Sequence, residues 1–100
     1  MVLYNVTVGV DKDIELEWLS WMKNEHIPEV MATGKFIEHK IFKVLGHDDP
    51  ATTSYSVQYF STDIAKVNDY LTNDAPVLIQ KHQIKYKDRH VAFRTLLEEV

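Results

Sequence analysis

The side chains in this sequence best suited to chemistry are the imidazole of His26, in the run NEHIPE, and the guanidinium of Arg94, in VAFRTL. An imidazole changes charge near neutrality, so His26 could serve as a general base or hold a ligand, with Glu25 and Glu29 close by to tune it. The same residue also suits a plain structural role. At the end of a helix a histidine meets the negative end of the macrodipole and hydrogen-bonds the last carbonyls. Arg94 is the best anion-binding candidate within a polar set that includes Asn5, Thr7, Ser56 and Gln58. By strand parity these share one sheet face, opposite Tyr4, Val6, Tyr55, Val57, Tyr59, Val91 and Phe93. Such a face, once buried, must be hydrogen-bonded across a dimer, through water or by a ligand, because each unpaired group costs about 1–3 kcal/mol. Setting the register of a dimer is the alternative use of those residues.

The aromatic residues Trp18, Trp21, Tyr4, Tyr55 and Tyr59 have the composition of a small-molecule pocket, which is mostly apolar with a few placed polar groups. Arg94, Asn5, Gln58, Tyr59 and Trp18 therefore form the candidate ligand-binding set, although an aromatic stripe equally well packs a core. His26 with Glu29, His39 with His47, and His82 with His90 are the spacings nearest to a metal site. None matches a ligand motif, so neither a metal nor a cofactor is expected. No GxGxxG, Walker A, GxSxG or HExxH pattern occurs, and only three glycines are available for a phosphate-cradling loop. The absence of cysteine removes disulfides, thiolate zinc sites and thiol nucleophiles.

Fifteen acidic against eleven basic residues give a formal net charge of -4, which opposes nucleic acid and anionic membrane surfaces. A composition of 45% hydrophobic and 26% charged residues is that of an ordinary globular protein. The first residues carry no leader pattern, and no run reaches the roughly 18–20 apolar residues that span a bilayer. A soluble, unexported, cytoplasmic protein is expected.

The elements that would position these groups follow from hydrophobic period. Val2 to Val10 alternates as a half-buried strand. Asp11 or Asp13 can cap a helix whose apolar arc holds Ile14, Trp18, Leu19, Trp21 and Met22. Pro28 predicts a kink followed by a short helix that Gly34 ends. Phe36 to Leu45 is mixed in pattern and suits an edge strand, joined through GHDDPATT to the alternating strand Ser54 to Phe60. Ser61, Thr62 or Asp63 can cap a second helix with Ile64, Val67, Leu71 and Ala75 along its buried stripe; Pro76 breaks or restarts it, and Asn73 or Asp74 can cap the piece running to about Tyr86. His90 to Leu97 is the last strand. The order βαββαβ predicts an α+β, ferredoxin-like domain over residues 1–100, with a four-stranded antiparallel sheet, both helices on one face and the other face bare.

YNVTV, EWLSWM, NEHIPEVMATGKF, YSVQYF and VAFRTLLEEV together resemble an uncharacterised bacterial family, domain of unknown function 4286, which is similar to the dimeric α/β barrel group. The resemblance implies that two sheets pair their bare faces into a barrel with the helices outside, making a homodimer. That group holds small monooxygenases, haem-degrading enzymes, muconolactone isomerases and non-catalytic members, so it leaves the chemistry open. Two functions follow as expectations. One is a homodimer that binds a small molecule or serves a non-catalytic role. The other is a cofactor-independent enzyme, monooxygenase- or isomerase-like, with a helix-to-sheet cleft containing His26. An RNA-recognition role would need Tyr55 and Tyr59 exposed on an unpaired sheet, and the RNP1 opening is missing from the third strand.

Overall fold

Alternation of Val2, Tyr4, Val6, Val8 and Val10 with smaller or polar residues builds strand β1 (Val2–Asp11), the first element of the computed structural model, which describes residues 1–46 and 49–100. A 3-10 turn (Lys12–Ile14) leads into helix α1 (Glu15–Trp21), which continues through a π-helical turn (Met22–His26) into α2 (Ile27–Ala32). Strand β2 (Glu38–Lys43) and strand β3 (Thr52–Ser61) form a hairpin. The second helical layer repeats the plan of the first: α3 (Ile64–Asp69), a π-helical turn (Tyr70–Asp74) and α4 (Ala75–Lys85). Strand β4 (His90–Glu98) completes an antiparallel sheet in the order β2-β3-β1-β4. This is the ferredoxin-like arrangement, with β2 at an edge as its polarity requires.

Each proline stands in the first turn of a new α-helical piece, the short α2 after Pro28 and the restarted α4 after Pro76. A proline lacks the amide proton for its i−4 carbonyl and crowds that oxygen, which for Pro28 belongs to Asn24 and for Pro76 to Thr72. In both places a π-helical turn precedes the proline and the helix runs on. The widened turn holds one extra residue, so the buried stripe takes a five-residue step: Trp18, Met22, then Ile27 and Val30 in the first layer; Val67, Tyr70, then Ala75 and Leu78 in the second. For this reason Tyr70, 2% exposed, takes the core position predicted for Leu71, and Ile64 is exposed. Gly34 follows α2 with a positive φ of 75°, the left-handed geometry expected of a helix end.

The expected caps on the first helix do not form. Asp11 and Asp13 instead pair with Arg89, whose Nε lies 2.8 Å from Asp11 Oδ2, and so join the end of β1 to the start of β4. Asp63 does cap α3, accepting from the Ala65 amide at 2.8 Å. Asp74 does not cap α4; it shares the Lys35 ammonium with Asp69, at 3.4 and 2.6 Å. Phe36, placed in β2 by its pattern, lies before that strand and packs with Tyr4, Tyr59 and Tyr70 beneath the helices. Tyr55 and Tyr59 are 6% and 2% exposed, which removes the open stacking platform that RNA recognition would need.

On the bare face Ser56 Oγ donates to Asn5 Oδ1 at 2.6 Å, Asn5 Nδ2 to Thr7 Oγ1 at 3.0 Å, and Gln58 Nε2 to Ser56 Oγ at 3.1 Å. The four predicted polar residues therefore satisfy one another. Arg94 is not among them. It stands opposite Val6 in the β1–β4 register, so it shares the helix-facing side, whereas Phe93 opposite Thr7 and Val91 opposite Gly9 lie on the bare face. Val91 is 74% and Phe93 63% exposed. The parity of β4 is thus the reverse of the expected one, because both of its faces carry apolar residues and only the cross-strand register decides between them.

Candidate functional site

Three tyrosines, two histidines and one arginine converge in a cavity between the sheet and the helices. Val6, Val8 and Val57 of the sheet and Met22, Val30 and Ile79 of the helices make its apolar walls; Tyr4, Tyr59, Tyr70, His26, His82 and Arg94 supply the polar atoms. Its volume is about 30 Å³, room for roughly two waters at about 10–15 Å³ each. Every group owes its place to an element already described. Tyr4 and Tyr59 face each other across the β1–β3 ladder. Met22 and His26 open and close the first π turn, and Tyr70 opens the second. His82 lies on the buried stripe of α4, and exposed Arg94 on the edge strand β4 stands at the mouth.

His26 is therefore not at a helix end, as expected, but inside a continuous helix, where its ring stacks on Trp21 at 4.9 Å. Its Nδ1 is buried without a hydrogen-bond partner. Burial, more than the nearby Arg94 and Lys81 charges, lowers its proton affinity from the ordinary 6.5 to about 4, against the upward pull of Glu29. His82 is lowered further, to about 3, again chiefly by burial. Trp18 Nε1 donates to His82 Nε2 at 2.9 Å. An indole N–H can only donate, so the neutral His82 ring carries its proton on Nδ1. His90 stands 4.3 Å from His82 ring to ring, and its Nδ1 is 2.8 Å from the Tyr86 carbonyl. Among the described residues no group of three or more His, Cys, Asp or Glu side chains is arranged to hold a metal ion, and His47 lies outside the described residues.

The phenols are held protonated. Burial raises Tyr59 and Tyr70 well above their ordinary range, and it raises Tyr4 against the opposing pull of the Arg94 guanidinium beside it. At neutral pH the cavity thus presents hydroxyl donors, uncharged imidazoles and a single full positive charge at its rim.

Of the predicted ligand-binding residues, the cavity brings together His26, Arg94 and Tyr59. Trp18 is 0% exposed and acts one layer back, by holding His82. Asn5 and Gln58 lie on the opposite face of the sheet. Sequence reasoning missed His82 and Tyr70 as members of the site. A four-residue step from the buried Leu78 would have found His82; Tyr70 is hidden by the π turn, which puts it one residue off a regular helical stripe.

A sheet in the order β2-β3-β1-β4, with both helical layers on one side and a polar-lined cavity beneath them, defines a ferredoxin-like α+β protein. The chain belongs to the family described as Domain of unknown function (DUF4286), which it matches over residues 1–100. Among solved structures it is similar to an ethyl tert-butyl ether d (EthD) family protein from Bacillus halodurans, with a TM-score of 0.67 at 13% identity, covering 100% of both chains. SnoaB, a cofactor-independent oxygenase from Streptomyces nogalater, aligns with a TM-score of 0.65 at 11% identity, over 99% of this chain and 93% of its own. A dimeric ferredoxin-like protein from an uncultured marine organism aligns at 0.66 and 15%, over 100% and 95% of the two chains. At these identities the likeness is one of fold. No curated protein matches. No helix among the described residues is long and apolar enough to cross a membrane.

Proposed function

We propose that this is a cytoplasmic small-molecule-binding protein whose ligand occupies the cavity between sheet and helices, and that it works as a homodimer paired through the bare sheet faces. The observation that carries the reading is the convergence of Arg94, three phenols and two neutral imidazoles on one apolar-walled space. Such convergence of perturbed groups in a concavity is the physical mark of a ligand site. The dimer is supported by exposed Phe93, Val91 and Leu97 along one strand of the bare face and by the dimeric neighbour of the same fold. In that arrangement Asn5, Thr7, Ser56 and Gln58 fix the register of the two sheets, while the cavity stays on the outer, helical side.

A second reading, a cofactor-independent monooxygenase- or isomerase-like enzyme, is favoured by the unpartnered Nδ1 of His26. A neutral, desolvated imidazole whose proton affinity is set by burial is equipped to take a proton from a bound substrate. SnoaB offers a precedent for oxygenase activity on this fold.

Native mass spectrometry of protein purified without denaturation tests the first reading. A dimer carrying additional mass that is lost on Tyr59→Phe or Arg94→Gln substitution is the expected result. A monomer would refute the assembly, and a dimer that never retains or accepts a small molecule would refute the cavity's role.

A further inference from the structure

We infer that the molecule this cavity takes is a compact monoanion, a carboxylate or similar oxyanion, with its charged end between the Arg94 guanidinium and the hydroxyls of Tyr4, Tyr59 and Tyr70. The inference rests on the cavity being a ligand site and names what that site selects.

Charge is the first argument. In a chain of net charge -4, the groups bordering this space include one full cation and no carboxylate. The two arginines of the chain differ sharply. Arg89 is paired with both Asp11 and Asp13, whereas Arg94 forms no ion pair among the described residues. Its outer side shares a surface cleft with Lys87 and Asp88, and Asp88 stands too far off to pair with it. The guanidinium meets the Tyr4 hydroxyl but no carboxylate among the described residues, and its remaining donors are enough to engage an incoming oxyanion bidentately.

Hydrogen-bond polarity is the second argument. Buried phenols need partners, and an oxyanion accepts from several donors at once. The rings of Tyr4 and Tyr70 lie 5.8 Å apart and those of Tyr4 and Tyr59 6.0 Å, and the Tyr4 hydroxyl already meets the Arg94 guanidinium, so an oxyanion seated there takes donors from both sides. Size is the third. A space of about 30 Å³ that holds roughly two waters is matched by the two oxygens of a carboxylate, so any hydrocarbon remainder must extend out of the mouth past Arg94.

Trp18, bonded to His82, and Trp21, stacked on His26 and His82, report directly on the cavity. Indole fluorescence and the thermal midpoint should therefore be followed while formate, acetate or propionate is titrated at constant ionic strength, with formamide and acetamide as uncharged counterparts. We expect saturable shifts with the anions only, weakened at least tenfold by Arg94→Gln and less by Arg94→Lys, which keeps the charge but loses the fork. Tyr59→Phe should weaken anion binding without changing the preference for charge. Equal binding of acetamide and acetate, indifferent to Arg94→Gln, would overturn the anionic class and leave the ligand site standing. Linear, unsaturable shifts identical in Arg94→Gln would overturn it as well. If in addition native mass spectrometry finds no retained molecule of any charge, the ligand-site reading falls with it.

Discussion

The two buried imidazoles make the folded state sensitive to mild acid, and the size of the effect follows from the structure. His26 and His82 are lowered from 6.5 to about 4 and about 3, both mainly by burial. In the unfolded chain each ring regains its ordinary affinity. Above 6.5 neither state holds the proton, and the stability is complete. As the pH falls from 6.5 toward 4 the unfolded chain takes up protons that the native protein refuses, so stability is lost over that window. Moving from pH 7 to pH 5 should remove about 2 kcal/mol per ring and about 4 kcal/mol in all, a large share of the roughly 5–15 kcal/mol that holds a domain together. The lowered Glu15 and Asp69 lose their contribution only as the pH falls below their ordinary values of 4.5 and 3.8, outside this window. Urea denaturation at the two pH values measures the loss. His26→Phe keeps a ring against Trp21, removes one titrating group and should roughly halve the pH dependence. A loss below about 1 kcal/mol, with both imidazole resonances titrating near 6.5, would refute the premise that these rings are buried and neutral.

Other consequences are as direct. Trp18→Phe deletes the indole donor to His82 Nε2 and leaves a gap beside Tyr55, so urea denaturation should show a loss of about 2–4 kcal/mol. Deleting the exposed Asn24 from the first π turn forces regular helical spacing between Met22 and Ile27 and puts the proline inside a regular helix at a cost of about 3 kcal/mol, so calorimetry should find the thermal midpoint lowered by about 12–24 °C. Phe93→Glu places a charge on the bare face, and analytical ultracentrifugation should find the parent dimeric and the variant monomeric if the proposed pairing holds.

The architecture was legible because β1 and β3 carry clean alternation, with Tyr4, Val6 and Val8 on one parity and Val57 and Tyr59 aligned with them. The polar network of Asn5, Ser56 and Gln58 was legible for the same reason. Arg94 was misplaced because β4 has apolar residues on both parities, Val91 and Phe93 on one and Ala92 and Leu96 on the other. Such a strand does not declare its face; its pairing with β1 does. The site was half legible. His26 stood out by its type and its proline, but its neighbours Tyr70 and His82 arrive through a π turn and a second helix, and a single-period reading of each helix cannot bring them together.

The strand order has a consequence for how the chain comes to fold. Val2 pairs with Glu98 and Val10 with His90, while β2 touches only β3 among the strands. Neither the β1–β2 half nor the β3–β4 half contains a strand pair of its own. Each is a helix with two loose ribbons until the other half arrives. Closure of the sheet therefore waits on contacts far apart in sequence, which slows folding relative to helical bundles. During synthesis the strand made early stays without its outer neighbour until β4 has left the ribosome. A nick in the β2–β3 hairpin should yield fragments that are unstructured alone and complement each other when mixed.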